Sequence, residues 1–399
     1  MAIDLLKDRG TALEQQRFTW REVTQPPYSK LDDDAFTRVR VILMNGIETE
    51  ALRFGHMCAR MNRDLQRDLE RVRRVEQHQQ TLVNWLNPPD QSPLETTIGY
   101  EQTAIEVTAA LALQEPDSYL AQVYRFGLLE DFDHLYRYSA LMDRVEGKDA
   151  NNLLQSYSDI LPGRATQLQH RHPEDDVRHH YHKREASLAT KLHALTLVAG
   201  EYQTHDYYMN IGPLYPDPTG RQLYAEIASI EEQHVTQYES IIDPTETWLE
   251  KWLLHEAMEV YNYYSCVHSE SNTRIKAIWE RFLDYELGQL QFVAEVFQRY
   301  EGRDASEVME AKLPDPISYT SHREFVRETL RAEVGLTAVG PDFHPFGTHP
   351  EEARSEEYRR QLNSEGSPTE RVAAGYVWTP GTELTRKPPQ IFSPADIHA

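Results

Sequence analysis

The chain has 399 residues, with 64 acidic against 41 basic side chains, a formal charge of −23 and 40% hydrophobic content. That acidity speaks against phosphate-backbone and anionic-membrane partners, so neither nucleic acid nor a membrane surface is expected as a ligand. No apolar run approaches the roughly 18 residues of a bilayer span, and residues 1–10 lack an apolar signal core, so a soluble, cytoplasmic protein is expected.

Residues 1–35 read as an irregular arm, in which Pro26-Pro27 precedes an acidic helix-start signal at Asp32-Asp33-Asp34. Over 36–90, apolar residues from Val39 to Leu86 recur every three or four positions. This predicts one very long helix or two shorter ones, ended by Pro88-Pro89. Helices are predicted next over 93–114 and 118–143, separated by Pro116, with Asp117 as N-cap of the second. The connection 144–183 is irregular. It carries His170, His172, His179, His180 and His182 amid Arg171, Glu174 and Asp175, and reads as a solvated linker. Helical periodicity returns over 186–211, breaks at Pro213, Pro216 and Pro218, and resumes over 219–242 with Asp217 as cap. Asp243-Pro244-Thr245-Glu246 reads as a capping box that opens a flanking helix pair over 244–302. From 303 to 399 the chain is rich in Pro, Gly and charge, and an extended tail with one short helix near 322–333 is expected. No strand pattern stands out, and the expected class is all-α. Cys58 and Cys266 are expected as reduced packing thiols.

An internal repeat carries the chemistry. Setting residue n against n+100 pairs Thr96 with Thr196, Glu101 with Glu201, Pro116 with Pro216, Asp117 with Asp217, Tyr124 with Tyr224, Asp131 with Glu231, His134 with His234, and Tyr138 with Tyr238, without a gap. Glu101 precedes Pro116 by as many positions as Asp131 follows it. At about 1.5 Å per residue the two reach the same height in an antiparallel hairpin, and Glu201 and Glu231 obey the same arithmetic about Pro216. Two hairpins, 91–143 and 184–243, packed with pseudo-twofold symmetry would bring Glu101, Asp131, His134, Glu201, Glu231 and His234 together. Four buried carboxylates need cations, and two divalent metals supply the charge. One imidazole per metal among carboxylates suits iron or manganese, and the absence of cysteine argues against structural zinc.

One Glu on the first helix of a hairpin and an acid-x-x-His motif on the second, the whole repeated, resembles the ferritin-like dinuclear metal-carboxylate proteins. These include rubrerythrins, manganese catalases, aldehyde-deformylating oxygenases, bacterial multicomponent monooxygenases and the ribonucleotide reductase small subunit. The resemblance covers residues 93–243 and implies a four-helix bundle within 91–243. It assigns Glu101, Asp131 and His134 to one half of a di-iron or dimanganese site, and Glu201, Glu231 and His234 to the other. The first motif departs from the pattern by having Asp131 for Glu, with Glu130 beside it as the alternative ligand. Tyr138 and Tyr238 stand four positions after the histidines. A tyrosine at that offset in the reductase small subunit forms a radical, and the plainer reading is a hydrogen-bonding or packed core residue. His205, one turn after Glu201, reads as an extra ligand, a partner of one, or a packed histidine.

The resemblance implies an oxidoreductase that activates dioxygen or hydrogen peroxide, with an electron-donor protein for oxidase or oxygenase chemistry and the option of a homo-oligomer. The competing expectation is a metal-binding or helical interaction protein without turnover. In the flanking helices Glu256 and Glu286 repeat the separation of Glu101 and Asp131, with Gln289 at the histidine position, and Glu48 with Glu76-Gln77-His78 gives a looser echo. These helices read first as packing layers and second as a further metal site.

Overall fold

The computed structural model describes residues 3–379. Among them, eight helices of 19 to 29 residues form the body: α1 (Ala35–Met61), α2 (Gln66–Asn84), α3 (Pro93–Gln114), α4 (Ser118–Glu146), α5 (Leu188–Ile211), α6 (Pro218–Ser240), α7 (Trp248–Ser269) and α8 (Thr273–Glu301). The region 36–90 is thus two helices, broken at Asn62, whose extended backbone leaves the α-helical range. The predicted caps act where expected. Asp117 accepts from the N–H groups of Tyr119 and Leu120, and Asp217 accepts from Gly220, with Pro218 in the first turn. The capping box falls four positions later than predicted, on Thr247 and Glu250. Asp243 instead takes the N–H groups of Lys183 and Thr245.

Each consecutive pair, α1/α2, α3/α4, α5/α6 and α7/α8, packs as a hairpin. The α3/α4 and α5/α6 hairpins meet through α3 against α5 and α4 against α6. The other two hairpins meet through α1 against α7 and α2 against α8, and α1 and α7 also pack on α5. Two four-helix layers therefore lie side by side. Apolar side chains pack each interior, among them Ile98, Leu128, Phe132 and Ile227 in one layer and Leu43, Ile47, Phe282 and Val293 in the other. Burial of such side chains at about 1.5–3 kcal/mol each holds the layers together.

Two expectations are corrected. The chain is predominantly helical but not wholly so, because β1 (Leu336–Val339) and β2 (Asp342–Pro345) form an antiparallel hairpin turning at Gly340, with φ of 56°. Its short length and weak alternation hide it from periodicity. Residues 303–379 are also more than an extended tail. They include α9 (Arg323–Glu333), α10 (Glu352–Leu362) and α11 (Pro368–Ala373), the last packed on α4 and α6. The expected tail over 380–399 lies outside the described residues. Among the described residues no helix is long and apolar enough to cross a membrane.

Candidate metal centre

The six residues drawn together by the repeat are all buried, with exposures of 0–3%. Their ligand-capable atoms fall into two groups, Asp131, Glu201, Glu231 and His234 in one, and Glu101, His134 and Glu231 in the other. Glu231 belongs to both. This grouping differs from the expected halves. Asp131 sits with the second repeat's residues, because its side chain projects from α4 across to α5 and α6.

Geometry separates Asp131 from Glu130. Glu130 Oε1 accepts from Arg171 Nη1 at 2.6 Å and Arg164 Nη1 at 3.2 Å, and its Oε2 takes His234 Nε2 at 2.9 Å. Against burial, Arg171, His234 and Arg164 hold this carboxyl well below the usual range, so it is an anion already committed to three donors. Asp131 has no such commitment. Neither of its oxygens has a hydrogen-bond partner, nor do Oε2 of Glu101 and Oε2 of Glu201. His234 Nδ1 lies 3.2 Å from both Asp131 Oδ1 and Glu231 Oε2 and 3.6 Å from Glu201 Oε2, and at most one proton is available there for three oxygens.

The imidazoles are oriented from behind. His134 Nε2 lies 2.7 Å from Gln169 Oε1, and Gln169 is itself fixed by donating through Nε2 to the Arg164 carbonyl and by receiving Gln233 Nε2 at its own carbonyl at 3.0 Å. Gln169 Oε1 and the ionised Glu130 can only accept, so each histidine keeps a proton on Nε2. In the neutral ring, Nδ1 is then a lone pair facing carboxylate lone pairs 3.1 Å away at His134 and 3.2 Å away at His234. A second proton on each ring or a cation between the groups removes that conflict. Without a cation, burial lowers the His134 pKa, but Glu231, Glu101 and Asp131 outweigh it and raise it to about 10. Burial pushes Glu101 and Glu201 up, and neighbouring carboxylates add to the push.

The segment 144–183 corrects the solvated-linker reading. It folds back on the helices and delivers Arg164, Gln169, Arg171 and Arg178, all buried. Asp133, one turn from Arg137, anchors it by accepting Gly163 N–H at 3.0 Å and the N–H and hydroxyl of Thr166 at 2.8 and 2.6 Å. Gly163 is required there, because a Cβ would collide with the Leu129 carbonyl. His170 is buried with its Nε2 3.6 Å from Glu226, whereas His180 and His182 are exposed beside Asp243.

Tyr138 and Tyr238 are fully buried, and neither hydroxyl has a hydrogen-bond partner. Tyr138 packs against Tyr208 and Tyr224 with ring centroids 5.1 and 4.9 Å away. The phenol that does reach the cluster is Tyr208, whose hydroxyl donates to Glu101 Oε1. It stands two turns after Glu201, an offset of seven that places it on the same helix face. His205 does not join the cluster. It is 28% exposed and pairs with Asp206 at 3.3 Å. A small cavity of about 20 Å³ is lined by Leu43, Tyr100, Val107, Leu197, Thr204 and Glu201.

No protein-family model, curated protein or solved structure matches the chain.

Proposed function

We propose that the α3–α6 layer is a ferritin-like four-helix bundle built from two duplicated hairpins, and that it holds two iron or manganese ions for reaction with dioxygen or hydrogen peroxide. The observation that carries this reading is the donor set: four buried carboxylates and two Nδ1 lone pairs converge, and four carboxylate oxygens there lack any hydrogen-bond partner. Such groups are costly to bury unless cations are present. Four carboxylates balance two divalent ions, while the one additional acid, Glu130, is neutralised by Arg164 and Arg171. Oxygen donors with one imidazole per ion suit iron and manganese.

Glu101 and His134 would hold one ion, Asp131, Glu201 and His234 the other, and Glu231 would reach both. Bound there, the ions supply the redox chemistry needed to activate dioxygen or peroxide. The chain's own residues do the rest. Gln169 and Glu130 fix each ring so that Nδ1 faces inward. Tyr208 donates its hydroxyl hydrogen bond to Glu101 Oε1. The cavity beside Glu201 has room for only one or two waters, so its apolar walls favour a diatomic or similarly small reactant. Tyr138 and Tyr238, fully buried and without hydrogen-bond partners, would serve as packed core tyrosines beside the residues that hold the ions.

The test is to load chelator-stripped protein with iron or manganese without oxygen, count the metal, and then add dioxygen or peroxide. About two ions per chain in this layer and a rapid optical change on oxidant addition support the reading. Oxygen release from peroxide without reductant selects catalase chemistry, and dependence on an electron-donor protein selects oxidase or oxygenase chemistry. Binding without any optical response favours the non-catalytic metal-binding alternative. Failure to bind either metal refutes both.

A further inference from the structure

The other layer, α1, α2, α7 and α8, buries a second set of carboxylates: Glu48, Glu76, Glu256, Glu259 and Glu286, all at 0–3% exposure. Their register repeats that of the first set. Glu48 precedes Glu76, and Glu256 precedes Glu286, by nearly the separation of Glu101 and Asp131, and each later acid has a glutamine at its third following position, Gln79 and Gln289. Structure thus moves the sequence echo at Glu76-Gln77-His78 by one position. Gln79 is fully buried, whereas His78 turns outward and packs on Phe18 and Trp20. The ligand-capable atoms again form two groups, Glu48, Glu259 and Glu286 in one and Glu76, Glu256 and Glu259 in the other, this time joined by Glu259.

What points to a ligand is the lack of donors. Neither oxygen of Glu259 has a hydrogen-bond partner, and neither do Oε2 of Glu48, Glu256 and Glu286 or Oε1 of Gln289. The donors present reach only one oxygen of Glu48, of Glu256 and of Glu286, Gln79 Nε2 adding a 3.4 Å contact to the same Glu48 Oε1 that Tyr263 serves. Tyr263 donates to Glu48, Trp252 Nε1 to Glu256 Oε1 at 2.8 Å, and Gln79 and Gln289 to Glu286 Oε1. Arg73, beside Glu76 in the adjoining cavity, is committed to the Gly55 carbonyl at 2.8 Å and to Glu70 at 2.7 Å. His255 stacks on Phe54 and places Nδ1 2.7 Å from the Lys251 carbonyl. Five buried acids faced by Arg73, which is already committed elsewhere, remain strongly unfavourable as anions.

We infer that this layer is a second dinuclear centre, one that takes hard divalent cations of the manganese and magnesium class through oxygen donors alone. Glutamine replaces both imidazoles, which removes the nitrogen ligands that favour iron and leaves carboxylate and amide oxygens, the donors preferred by manganese, magnesium and calcium. The two joined groups of three acids provide for two ions. The inference stands independently of the reading of the α3–α6 layer.

The experiment is a manganese count on the full chain, stripped with chelator, reloaded and desalted, with elemental analysis and electron paramagnetic resonance as readouts. The wild type should hold about four ions per chain, and Glu201→Ala about two that magnesium displaces. Glu259→Gln/Glu286→Gln should hold about two that magnesium displaces poorly, and the combined variant almost none. Glutamine is the neutral isostere of a protonated glutamate, so these variants keep the fold and a thermal melt confirms it. If the second cluster is instead a set of protonated acids, the double glutamine variant keeps the wild-type count and Glu201→Ala loses all manganese. Either result overturns the inference, and the first four-helix site is scored separately by the Glu201→Ala count.

Discussion

Replacing Glu130 by Gln tests whether this residue supports the candidate centre from outside or ligates within it. In the native chain its carboxylate serves Arg171, Arg164 and His234 together. Arg171 retains Asp176 at 2.8 Å after the change, but Arg164 is left with the carbonyls of Phe126, Glu333 and Leu336 and the Phe126 ring face 3.8 Å away, none of which carries a negative charge. An uncompensated guanidinium of 1% exposure costs about 3–5 kcal/mol, to be read as a loss of unfolding free energy in urea on metal-free protein. Adding Arg164→Met should recover a large part of that loss, because the buried charge goes with its partner. The amide still accepts weakly from His234 Nε2, so metal affinity should fall about 10–100-fold, or ~1.4–2.8 kcal/mol, with stoichiometry unchanged. Competition against a chelator of known affinity measures this. Unchanged affinity would refute the orienting role. Loss of a whole equivalent of metal in Glu130→Gln, with Asp131→Asn still binding fully, would make Glu130 the ligand and overturn the geometric assignment.

Other outcomes follow from the same structure. Tyr208→Phe removes the donor to Glu101 while keeping the ring, and should weaken metal binding by less than about tenfold and destabilise the metal-free chain by ~1–2 kcal/mol in denaturant titrations. Chelation should lower the melting temperature by about 3 °C per ion removed, since an ion at 100 times its Kd contributes ~2.7 kcal/mol, and an unchanged melt would count against bound metal. Gly127→Ala would drive a Cβ into the Tyr238 hydroxyl, costing about 1–3 kcal/mol, and Tyr238→Phe in the same chain should relieve most of it. Burial pushes Asp243 up, but Lys183 and Thr245 outweigh it and hold its pKa at about 2, below the ordinary 3.8. Its ionised form therefore stabilises the fold above about pH 4 and that contribution, ~1–2 kcal/mol after solvent screening, is lost as pH falls toward 2; Asp243→Asn should flatten this acid limb.

The helical class, the eight long helices and the six-residue convergence were legible because they rest on local rules. Proline stops, aspartate caps and a periodicity of three to four depend on near neighbours, and the equal arms about Pro116 and Pro216 turn residue counting into height along a hairpin. The repeat added what one copy could not show, namely that the acids come in matched sets.

Choices between adjacent residues were not legible. Glu130 and Asp131 differ by about 100° around one helix, and both point inward. Which of them meets the other carboxylates depends on Arg164 and Arg171, contributed by a connection whose charged composition looks solvated until its partners are known. The same limit applies to Gln79 and His78, where a difference of one position in facing decides whether the second layer is packing or a cluster of acids. Tyr208 was hidden for a related reason, since its hydroxyl crosses from α5 to Glu101 on α3. Sequence alone therefore determined which residue types lie on which helices and at what height. Only the tertiary structure decided which buried charge is already neutralised and which still lacks a partner, because that balance is set by side chains arriving from distant parts of the chain.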